Sequence, residues 1–481
     1  MDSIVLNTPD PEKKTICIIA EGSYPYVTGG VSAWIQDIIS GLDNYNFILF
    51  AITADQDNTV KYDFPPNVVQ LENRILTEPV QRPGKRVNND FFDQITTFHD
   101  EIMKNQDFNR LEWIVKTMQK YRYSNASIQK NTRSWEMTKI LGNKNNPLYP
   151  FSDYYWAWLA SHEYMLKILT WDIPVADLYH TISTGYAGLT AAIAKIMFNK
   201  PVLLTEHGLY NKEREIDIKR ARWVLGYQRD LWVNMFNDLG KITYDYSDLV
   251  ISLFEMNRNI QISQGAQRDK TMVIPNGIEL SRYLDLKTES RDKYSVGIVA
   301  RVVPIKDIKN FIIAAKIVTE TIPDAEFFII GPEDEDMAYY NECIQLVANF
   351  KIEKNIIFTG KADVREYYSF LDVLVLSSIR EAQPLVILEA YAAGIPVVST
   401  RVGNVPEMLD YDEKLLADPK DSFKLADGII TLFQDEEYRE SLVASNREKV
   451  IKYYSKTDLI STYDGLYCKY IEDFQTETGV S

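Results

Sequence analysis

The sequence predicts an α/β protein built from two doubly wound parallel-sheet domains. Short apolar runs alternate with stretches of helical periodicity in both halves of the chain, which is typical of buried parallel strands joined by helices. Polar helical segments interrupt that rhythm between about residues 62 and 150. We therefore expect an N-terminal domain over residues 1–285 with a helical insertion at 62–150, a second domain over 286–455, and a C-terminal helix over 456–481 that packs back on the first domain.

Composition limits the classes of function. The chain has 481 residues, of which 46% are hydrophobic and 25% charged, as in ordinary globular proteins. A net charge of −16 argues against a nucleic-acid partner. Three cysteines without paired spacing offer no disulfide or metal framework. Because the first residues are polar and unlike a signal peptide, a cytoplasmic location is expected, with a peripheral position at the inner face of the cell membrane left open.

The first strand, Thr15–Ala20, runs into a glycine turn at Gly29 and Gly30, and a helix is expected from about Ser32 to Leu42. Adjacent glycines at a strand-to-helix turn allow backbone N–H groups to approach a phosphate closely. The spacing differs from the G-x-G-x-x-G dinucleotide fingerprint. A purely structural turn is the alternative.

The interrupting segment is predicted to be helical. Asn89–Tyr121 has helical periodicity, and an aromatic-rich helix begins near Tyr154 and runs to about Leu169. We interpret its aromatic side chains as helix packing. A segment that docks a partner or a substrate is the sharper alternative.

Two of the four histidines end predicted strands. His180 ends the strand near residue 175, and His207 ends the strand that starts at Pro201. Ligands of open parallel sheets lie beyond the carboxyl ends of the strands, which favours a site role for both. His99 and His162 fall inside predicted helices and are interpreted as surface or packing residues.

Strands at Ser295–Arg301, Glu326–Gly331 and Asn355–Gly360 open the second half. Arg301 and Lys306 follow the first of these strands, and Asp307 is expected to cap the next helix. Two cations at the carboxyl end of a strand fit a diphosphate and could stabilise it as a leaving group. A pair of surface cations is the alternative.

A strand, loop, helix and strand follow near residues 371–400. Pro384 suits the first helical position and Gly394 the position after the helix end. The helix between them is apolar except for Glu389, and a buried carboxylate needs a partner or a function. Glu381 lies in the loop that precedes the helix. The two carboxylates and the free N–H groups of the helix start should converge on one pocket.

Several other kinds of site are unsupported. The pairs Asp334/Asp336 and Asp410/Asp412 lie in acidic, turn-like surroundings, and we interpret them as solvated faces rather than metal sites. The sequence contains no P-loop motif and no G-x-S-x-G elbow.

These motifs resemble a known family. Glu381 and Glu389 form an E-x7-E pair ahead of a G-x-P-V-V strand, with Arg301, Lys306 and the segment Val273–Gly277 upstream. Together they are similar to the retaining glycosyltransferases of family 4, which implies the GT-B fold: two Rossmann-like domains with the ligand expected in the cleft between them. Within that family, the segments Glu21–Trp34, Thr205–Arg214 and Arg380–Ala390 resemble the bacterial PelF group of cytosolic enzymes.

The resemblance implies a UDP-sugar donor, with UDP-glucose favoured and a UDP-hexosamine left open, and no required metal or other cofactor. The acceptor is a glycan that the sequence does not name, and the setting is an inner-membrane complex for Pel exopolysaccharide synthesis. The resemblance also implies roles for named residues: diphosphate contacts for Gly29, Gly30, Arg301 and Lys306; a donor-sugar contact for His180; a sugar-facing carboxylate for Glu381; and a ribose contact for Glu389. His180, Glu381, Arg301 and Lys306 would be the catalytic group.

One departure concerns the loop before the apolar helix. Many members of the family have an aromatic–glycine pair where this chain has Gln383 and Pro384. Proline has no N–H, so a donor contact is expected from Gln383 or Leu385 instead. Two other hypotheses remain open: a sugar-nucleotide epimerase or phosphorylase of the same fold, and a catalytically weak scaffold that docks a membrane complex through residues 62–150.

Overall fold

In a computed structural model the chain forms two compact units, residues 1–274 with 462–481 and residues 275–461. The structure describes residues 2–54, 59–78, 86–105, 108–145, 148–221, 224, 226–286 and 291–478. The first unit is called the N-terminal unit below and the second the C-terminal unit. Among the residues that the structure describes, no helix combines the length and apolar character that crossing a membrane requires.

The N-terminal unit is built on an eight-stranded sheet in the order β1-β4-β3-β2-β5-β6-β7-β8. Its first strand pairs antiparallel and the others pair in parallel. The strands are β1 Asp2–Val5, β2 Thr15–Glu21, β3 Asn46–Thr53, β4 Val68–Ile75, β5 Leu178–Thr181, β6 Val202–Glu206, β7 Leu249–Ser252 and β8 Thr271–Val273.

Helices surround this sheet and include a block between β4 and β5. They are α1 Gly30–Gly41, α2 Asn89–Asn105, α3 Asn109–Tyr121, α4 Asn125–Gln129, α5 Thr132–Asn145, α6 Phe151–Ile168, α7 Gly185–Phe198, α8 Tyr210–Arg220, α9 Gly226–Tyr246 and α10 Glu255–Ser263.

The C-terminal unit has a six-stranded parallel sheet in the order β11-β10-β9-β12-β13-β14. Its strands are β9 Ser295–Val299, β10 Glu326–Ile330, β11 Ile356–Gly360, β12 Val373–Leu376, β13 Val397–Thr400 and β14 Leu416–Ala417. Its helices are α11 Ile308–Thr321, α12 Met337–Phe350, α13 Val364–Tyr368, α14 Leu385–Ala393, α15 Val405–Met408, α16 Ser422–Gln434 and α17 Glu436–Tyr453. The last helix, α18, spans Lys456–Thr478, and its residues from 462 onward belong to the N-terminal unit.

The sequence placed most sheet strands correctly, because parallel strands buried on both faces are continuous apolar runs. It missed β1, a four-residue strand that pairs at the sheet edge, and the two-residue strand β14. It also placed β4 inside the expected insertion at 62–150, although β4 pairs with β3 as a regular parallel strand. The helical block therefore starts at α2 and continues through α6, past residue 150.

The helical block shares one apolar core with the sheet of its unit. Tyr154, Tyr155 and Trp158 of α6 are buried in that core, whereas Trp156 is 65% exposed. The packing interpretation of this aromatic cluster is therefore correct for its buried members. The charged stretch from Asn211 to Asn237, whose residues favour one helix, is divided between two helices, α8 and α9.

Two details at helix ends differ from expectation. Asp307 precedes α11 in the left-handed region at φ 47° and its side chain makes no capping hydrogen bond, so the predicted cap is wrong. Pro384 flanks α14 with ψ 111° instead of occupying its first turn. Gly394, at φ 79°, ends α14 as predicted, because a left-handed residue that closes a helix favours glycine.

Candidate functional site

The candidate site of the C-terminal unit lies where the strand order reverses. From β9 the chain continues outward through β10 and β11, whereas from β12 it continues through β13 and β14 in the opposite direction. The loops after β9 and β12 therefore leave the sheet on different sides and open a crevice between neighbouring strands. Ligands of doubly wound sheets bind at such a point.

A lysine and a glutamate meet at this point. Lys306 comes from the loop after β9 and Glu381 from the loop after β12, and Nζ lies 2.5 Å from Oε1. Their side chains are 22% and 15% exposed, respectively. The hydroxyl of Ser378 donates to the same carboxylate oxygen at 2.7 Å. The sequence had predicted both charged residues, and the structure brings them into direct contact.

The backbone of the two loops is fixed by one serine. Ser377 Oγ lies 2.8 Å from the carbonyl oxygen of Lys306 and 3.0 Å from that of Asp307. Ser377 itself is fully buried at the end of β12. The loop that carries Lys306 is therefore joined to the loop that carries Glu381 by hydrogen bonds to backbone carbonyls as well as by the ion pair between the two side chains.

A pocket of about 310 Å³ opens beside this ion pair, at the carboxyl ends of β9, β10 and β11. Three cationic side chains contribute to its lining, Arg301, Lys306 and Lys361. Gly331 forms another part of the wall, and a Cβ there would lie 2.2 Å from the carbonyl oxygen of Ala300. Glycine is needed at this position because its φ is 151° and the backbones of the two loops nearly touch.

Arg301 is paired on its exposed side. Its guanidinium contacts both carboxylate oxygens of Glu335, at 2.5 and 2.6 Å, and the two side chains are 52% and 48% exposed. Ion pairs this exposed contribute little to stability. Lys361 has no carboxylate partner among the described residues. Arg301 and Lys361 could therefore bind a ligand phosphate with little loss of free energy from broken ion pairs.

Glu389 lies in the middle of α14, which follows the loop that carries Glu381. The hydroxyl of Tyr368 donates to it at 3.2 Å, and Tyr283 interacts with the same carboxylate. Burial raises the pKa of Glu389, and the two tyrosine hydroxyls and the charge of Arg282 partly oppose that rise. This half-buried carboxylate is thus held by two tyrosine hydroxyls.

Gln383 and Leu385 flank the start of α14. The Oε1 atom of Gln383 accepts the backbone N–H of Asn276 at 2.9 Å, while its buried Nε2 has no acceptor. Leu385 begins the helix, and no side chain caps this end. The first turn of α14 therefore retains donors for an anionic or hydroxyl-bearing ligand.

The glycine turn of the N-terminal unit is exposed. Gly29 precedes α1 in an extended conformation, Gly30 is the first residue of that helix, and no side chain caps it. A Cβ at either position would meet no atom within 4 Å. Glycine is therefore not required there by packing inside the unit, and the diphosphate role of this turn remains a prediction.

His180 is fully buried in the N-terminal unit. Its Nδ1 lies 2.6 Å from the hydroxyl of Tyr467 and its Nε2 lies 2.8 Å from Thr205 Oγ1, which in turn contacts the hydroxyl of Tyr463 at 2.9 Å. Burial lowers the pKa of His180 to about 3. Both ring nitrogens are thus occupied by protein hydroxyls, and this arrangement leaves none for the predicted donor-sugar contact.

The other three histidines pack against aromatic rings, and His162 and His207 are buried whereas His99 is half-buried. His207 is 8% exposed, packs 4.8 Å from the Trp34 ring, and its Nε2 has no partner. His99 and His162 lie 5.2 Å apart between α2 and α6. Burial lowers the pKa of each of these three rings, so all three are neutral near pH 7.

Three of the four residues in the two acidic pairs have structural partners. Asp336 caps α12 by accepting the N–H of Tyr339 at 3.0 Å. Asp412 accepts the hydroxyl of Tyr438, and Asp410 pairs with Lys449, both at 2.5 Å. Within the described part of the chain, no group of three or more His, Cys, Asp or Glu side chains is arranged to hold a metal ion.

Sequence reasoning missed several residues of the site. Lys361 follows β11 directly, so the argument that selected Arg301 and Lys306 would also have found it. Tyr283 and Tyr368 carried no local signal, because their contact with Glu389 arises only in three dimensions. The sequence also gave no role to Glu21, which accepts the N–H groups of Tyr186 and Ala187 at the start of α7, at 3.0 and 3.2 Å.

Two family descriptions match the chain. Residues 14–269 match "Domain of unknown function (DUF3492)", and residues 286–449 match "Glycosyl transferases group 1". The second match covers the pocket and all of its charged residues.

Two relatives show how far sequence similarity extends. N-acetyl-alpha-D-glucosaminyl L-malate synthase of Bacillus anthracis is 34% identical over 172 residues, which are 35% of this chain and 44% of that protein. UDP-Gal:alpha-D-GlcNAc-diphosphoundecaprenol alpha-1,3-galactosyltransferase of Escherichia coli is 30% identical over 246 residues, 47% of this chain and 59% of that protein. The chain therefore matches about half the length of these relatives.

Solved structures show the fold. Sucrose-phosphate synthase from Thermosynechococcus elongatus superposes with a TM-score of 0.61 at 18% identity, covering 96% of this chain and all of that one. Anabaena HepE in complex with UDP superposes with a TM-score of 0.58 at 16% identity, covering 95% of this chain and 100% of that one. The predicted fold class is confirmed: two α/β units on parallel sheets, as in GT-B glycosyltransferases.

Proposed function

We propose that this chain, which belongs to the DUF3492 family and carries a glycosyl transferases group 1 domain, is a retaining glycosyltransferase that uses a UDP-sugar donor. The donor binds to the C-terminal unit, at the crevice between β9 and β12. UDP-glucose is the favoured donor, and a UDP-hexosamine is the second candidate. The solved complexes of Anabaena HepE with UDP and with UDP-glucose support this donor class, because that protein shares the fold.

The observation that carries the proposal is the group of cations around one pocket. Arg301, Lys306 and Lys361 line a cavity of about 310 Å³ at the carboxyl ends of β9, β10 and β11. Lys306 also borders the neighbouring crevice between β9 and β12, where doubly wound sheets bind nucleotides. Charge-assisted hydrogen bonds from such side chains suit the oxygens of a diphosphate. In the proposed complex the phosphate replaces Glu335 as the partner of Arg301. Glu389 accepts hydrogen bonds from the ribose hydroxyls.

The reaction follows from this arrangement. The bond between the anomeric carbon and the β-phosphate oxygen breaks, and UDP leaves with the electron pair of that bond. Arg301 and Lys306 stabilise the charge that develops on the leaving diphosphate. The acceptor hydroxyl oxygen bonds to the anomeric carbon from the same face, and its proton passes to the departing phosphate oxygen. Glu381 holds the donor sugar and, through its contact with Lys306, positions that cation.

More specifically, we propose that the enzyme acts in Pel exopolysaccharide synthesis, like the PelF group that it resembles. It would transfer the sugar to a glycan acceptor and work alongside an inner-membrane complex. This assignment is supported by the resemblance of the segments around Glu21, Thr205 and Arg380. For His180 the structure favours a positioning role within the N-terminal unit over contact with the sugar, because both of its ring nitrogens are already hydrogen-bonded.

The test is UDP binding measured by calorimetry on purified full-length protein. Lys306→Ala and Arg301→Ala should each weaken UDP binding about tenfold or more, since each removes a charge-assisted contact worth about 1.5–3 kcal/mol. Lys309→Ala is the matched control, because Lys309 forms a surface pair with Glu342 on the next helix. Unchanged UDP affinity in both site variants would refute the donor site. Absence of any UDP binding in the unaltered protein would favour the scaffold hypothesis.

A further inference from the structure

The N-terminal unit contains a second large pocket that the donor site does not explain. Its volume is about 870 Å³, and it lies among the helices, between the helical block and α9. The residues that line it come from α2, α5, α6, α8, α9 and the end of α10. Its size is within the range of about 300–1,000 Å³ that is usual for small-molecule sites.

Four carboxamide side chains stand beside five charged ones in the polar wall of this pocket. Asn211, Asn234, Asn237 and Gln264 all contribute to it. Neither Asn234 nor Asn237 makes a side-chain hydrogen bond to a described residue, and Gln264 Oε1 is buried without a donor. A carboxamide donates and accepts at once, which matches the hydroxyl groups of a saccharide.

Four of the five charged side chains that line the pocket are paired within the protein, and the fifth, Asp230, is an exposed carboxylate. Lys241 pairs with Asp238 at 3.0 Å, Lys144 with Asp100 at 2.5 Å, and Lys212 with Glu215 at 3.2 Å. His99 and His162 line the same wall, and burial lowers their pKa values to about 4 and about 3, so both rings are uncharged near pH 7. A neutral ligand therefore fits this lining better than a phosphate does.

A small apolar cavity adjoins the polar pocket. It has a volume of about 50 Å³, is walled mostly by isoleucine and leucine side chains, and shares His99, Trp158, His162, Met235 and Asp238 with the larger pocket. Because a cavity needs only about 10–15 Å³ of such space to hold one water, there is room for a methyl or acetyl group. The indole N–H of Trp158, at the junction, is buried without an acceptor.

We propose that the pocket between α6 and α9 is a saccharide-binding site, and that it takes a neutral sugar bearing one small apolar substituent such as an acetamido group. The carboxamides hold the hydroxyls, and the acetamido methyl enters the apolar cavity. Its carbonyl oxygen can accept the indole N–H of Trp158. That this saccharide is the acceptor or the product glycan rests on the proposed function, whereas binding itself does not.

The test compares N,N′,N″-triacetylchitotriose, called chitotriose below, with cellotriose. These two trisaccharides differ only in having an acetamido group instead of a hydroxyl at carbon 2 of each ring. Calorimetry on the full-length protein should show chitotriose binding at least tenfold more tightly. Asn237→Ala and Asn234→Ala should each weaken both sugars fivefold or more. Asn341→Ala, an exposed asparagine on α12 of the other unit, is the matched control and should change neither affinity.

A second variant tests the apolar cavity separately. Met165→Phe adds bulk to the cavity wall and should lower chitotriose affinity to that of cellotriose while leaving cellotriose unchanged; a thermal melt checks that it is folded. Equal affinity of the two sugars in the unaltered protein, or no binding of either, would overturn the proposal. A loss of chitotriose binding in Lys306→Ala would also overturn it, by assigning the sugar to the donor site. UDP calorimetry on Asn237→Ala reports on the donor site independently.

Discussion

At the scale of single residues, the candidate site depends on how each charge is neutralised. Lys306 and Glu381 neutralise each other at the point where the strand order reverses, and Arg301 is held by an exposed glutamate that a phosphate can replace. Glu389 differs, because its neighbours are two tyrosine hydroxyls and its pKa is raised by burial. A carboxylate that is destabilised by burial lowers the stability of the fold, which is typical of residues kept for ligand binding.

Glu389→Gln is expected to stabilise the protein while it weakens UDP binding. A carboxyl with a raised folded pKa binds its proton more tightly in the folded state, so its favourable contribution is present at low pH and is lost as pH rises through that pKa. Glutamine mimics the protonated form and should raise the free energy of unfolding by about 1 kcal/mol at pH 7.5. The gain should shrink toward pH 4, where Glu389 itself is protonated.

Urea denaturation at pH 7.5 and pH 4 measures this difference, and calorimetry should show UDP affinity lowered about tenfold, as expected when a charged acceptor is lost. A variant that is less stable than the parent at pH 7.5 would contradict this account of Glu389.

At the scale of elements, close backbone approach builds the loop that carries Glu381. Gly403, after β13, has φ 51°, and a Cβ there would lie 2.3 Å from the carbonyl oxygens of both Glu381 and Ala382. The next residue, Asn404, donates its backbone N–H to Ala382 at 2.8 Å. The β13 loop thereby supports the loop between β12 and α14, so that position requires glycine for both its conformation and its space.

Gly403→Ala is expected to lower the free energy of unfolding by about 2 kcal/mol or more, because the left-handed conformation and the backbone clash add together. It should also weaken UDP binding by displacing Glu381. Gly394→Ala is the matched control: its φ is 79°, but the nearest atom to an added Cβ is a side-chain carbon 3.6 Å away. That control should lose about 1 kcal/mol and retain its UDP affinity. Equal affinities in the two variants would exclude a supporting role for Gly403.

At the scale of the whole molecule, the C-terminal helix is an integral part of the first unit. Residues 462–481 cluster with residues 1–274, and Tyr463 and Tyr467 of α18 are fully buried there. Their hydroxyls complete the hydrogen-bond chain through Thr205 and His180. Side chains of the C-terminal helix thus form part of the core of the N-terminal unit.

Tyr467→Phe is expected to lower the free energy of unfolding by about 1–3 kcal/mol, because His180 Nδ1 loses its partner in the core. UDP affinity should be unchanged, since the donor pocket belongs to the other unit. Tyr470→Phe, on the same helix and only partly buried, should stay within about 0.5 kcal/mol of the parent. Urea denaturation with parallel UDP calorimetry measures both quantities. A loss of UDP-glucose affinity in Tyr467→Phe, with UDP affinity and stability unchanged, would instead support the predicted sugar-contact role of His180.

The sequence by itself determined the α/β fold class, most strands of both sheets, and Arg301, Lys306 and Glu381 at the proposed donor pocket, but not Lys361. These are local properties: buried parallel strands are apolar runs, and a cation just after a strand must lie at the sheet's carboxyl end. The E-x7-E spacing likewise placed Glu381 before α14 and Glu389 within it.

Only the tertiary structure decided which groups touch. It paired Lys306 with Glu381, placed Tyr283 and Tyr368 around Glu389, and enclosed His180 between hydroxyls that lie 25 and 287 positions away along the chain. It also assigned β4 to the sheet, although its polar neighbours had suggested an insertion. Contacts between distant segments depend on strand order and packing, and no local pattern of residues encodes them.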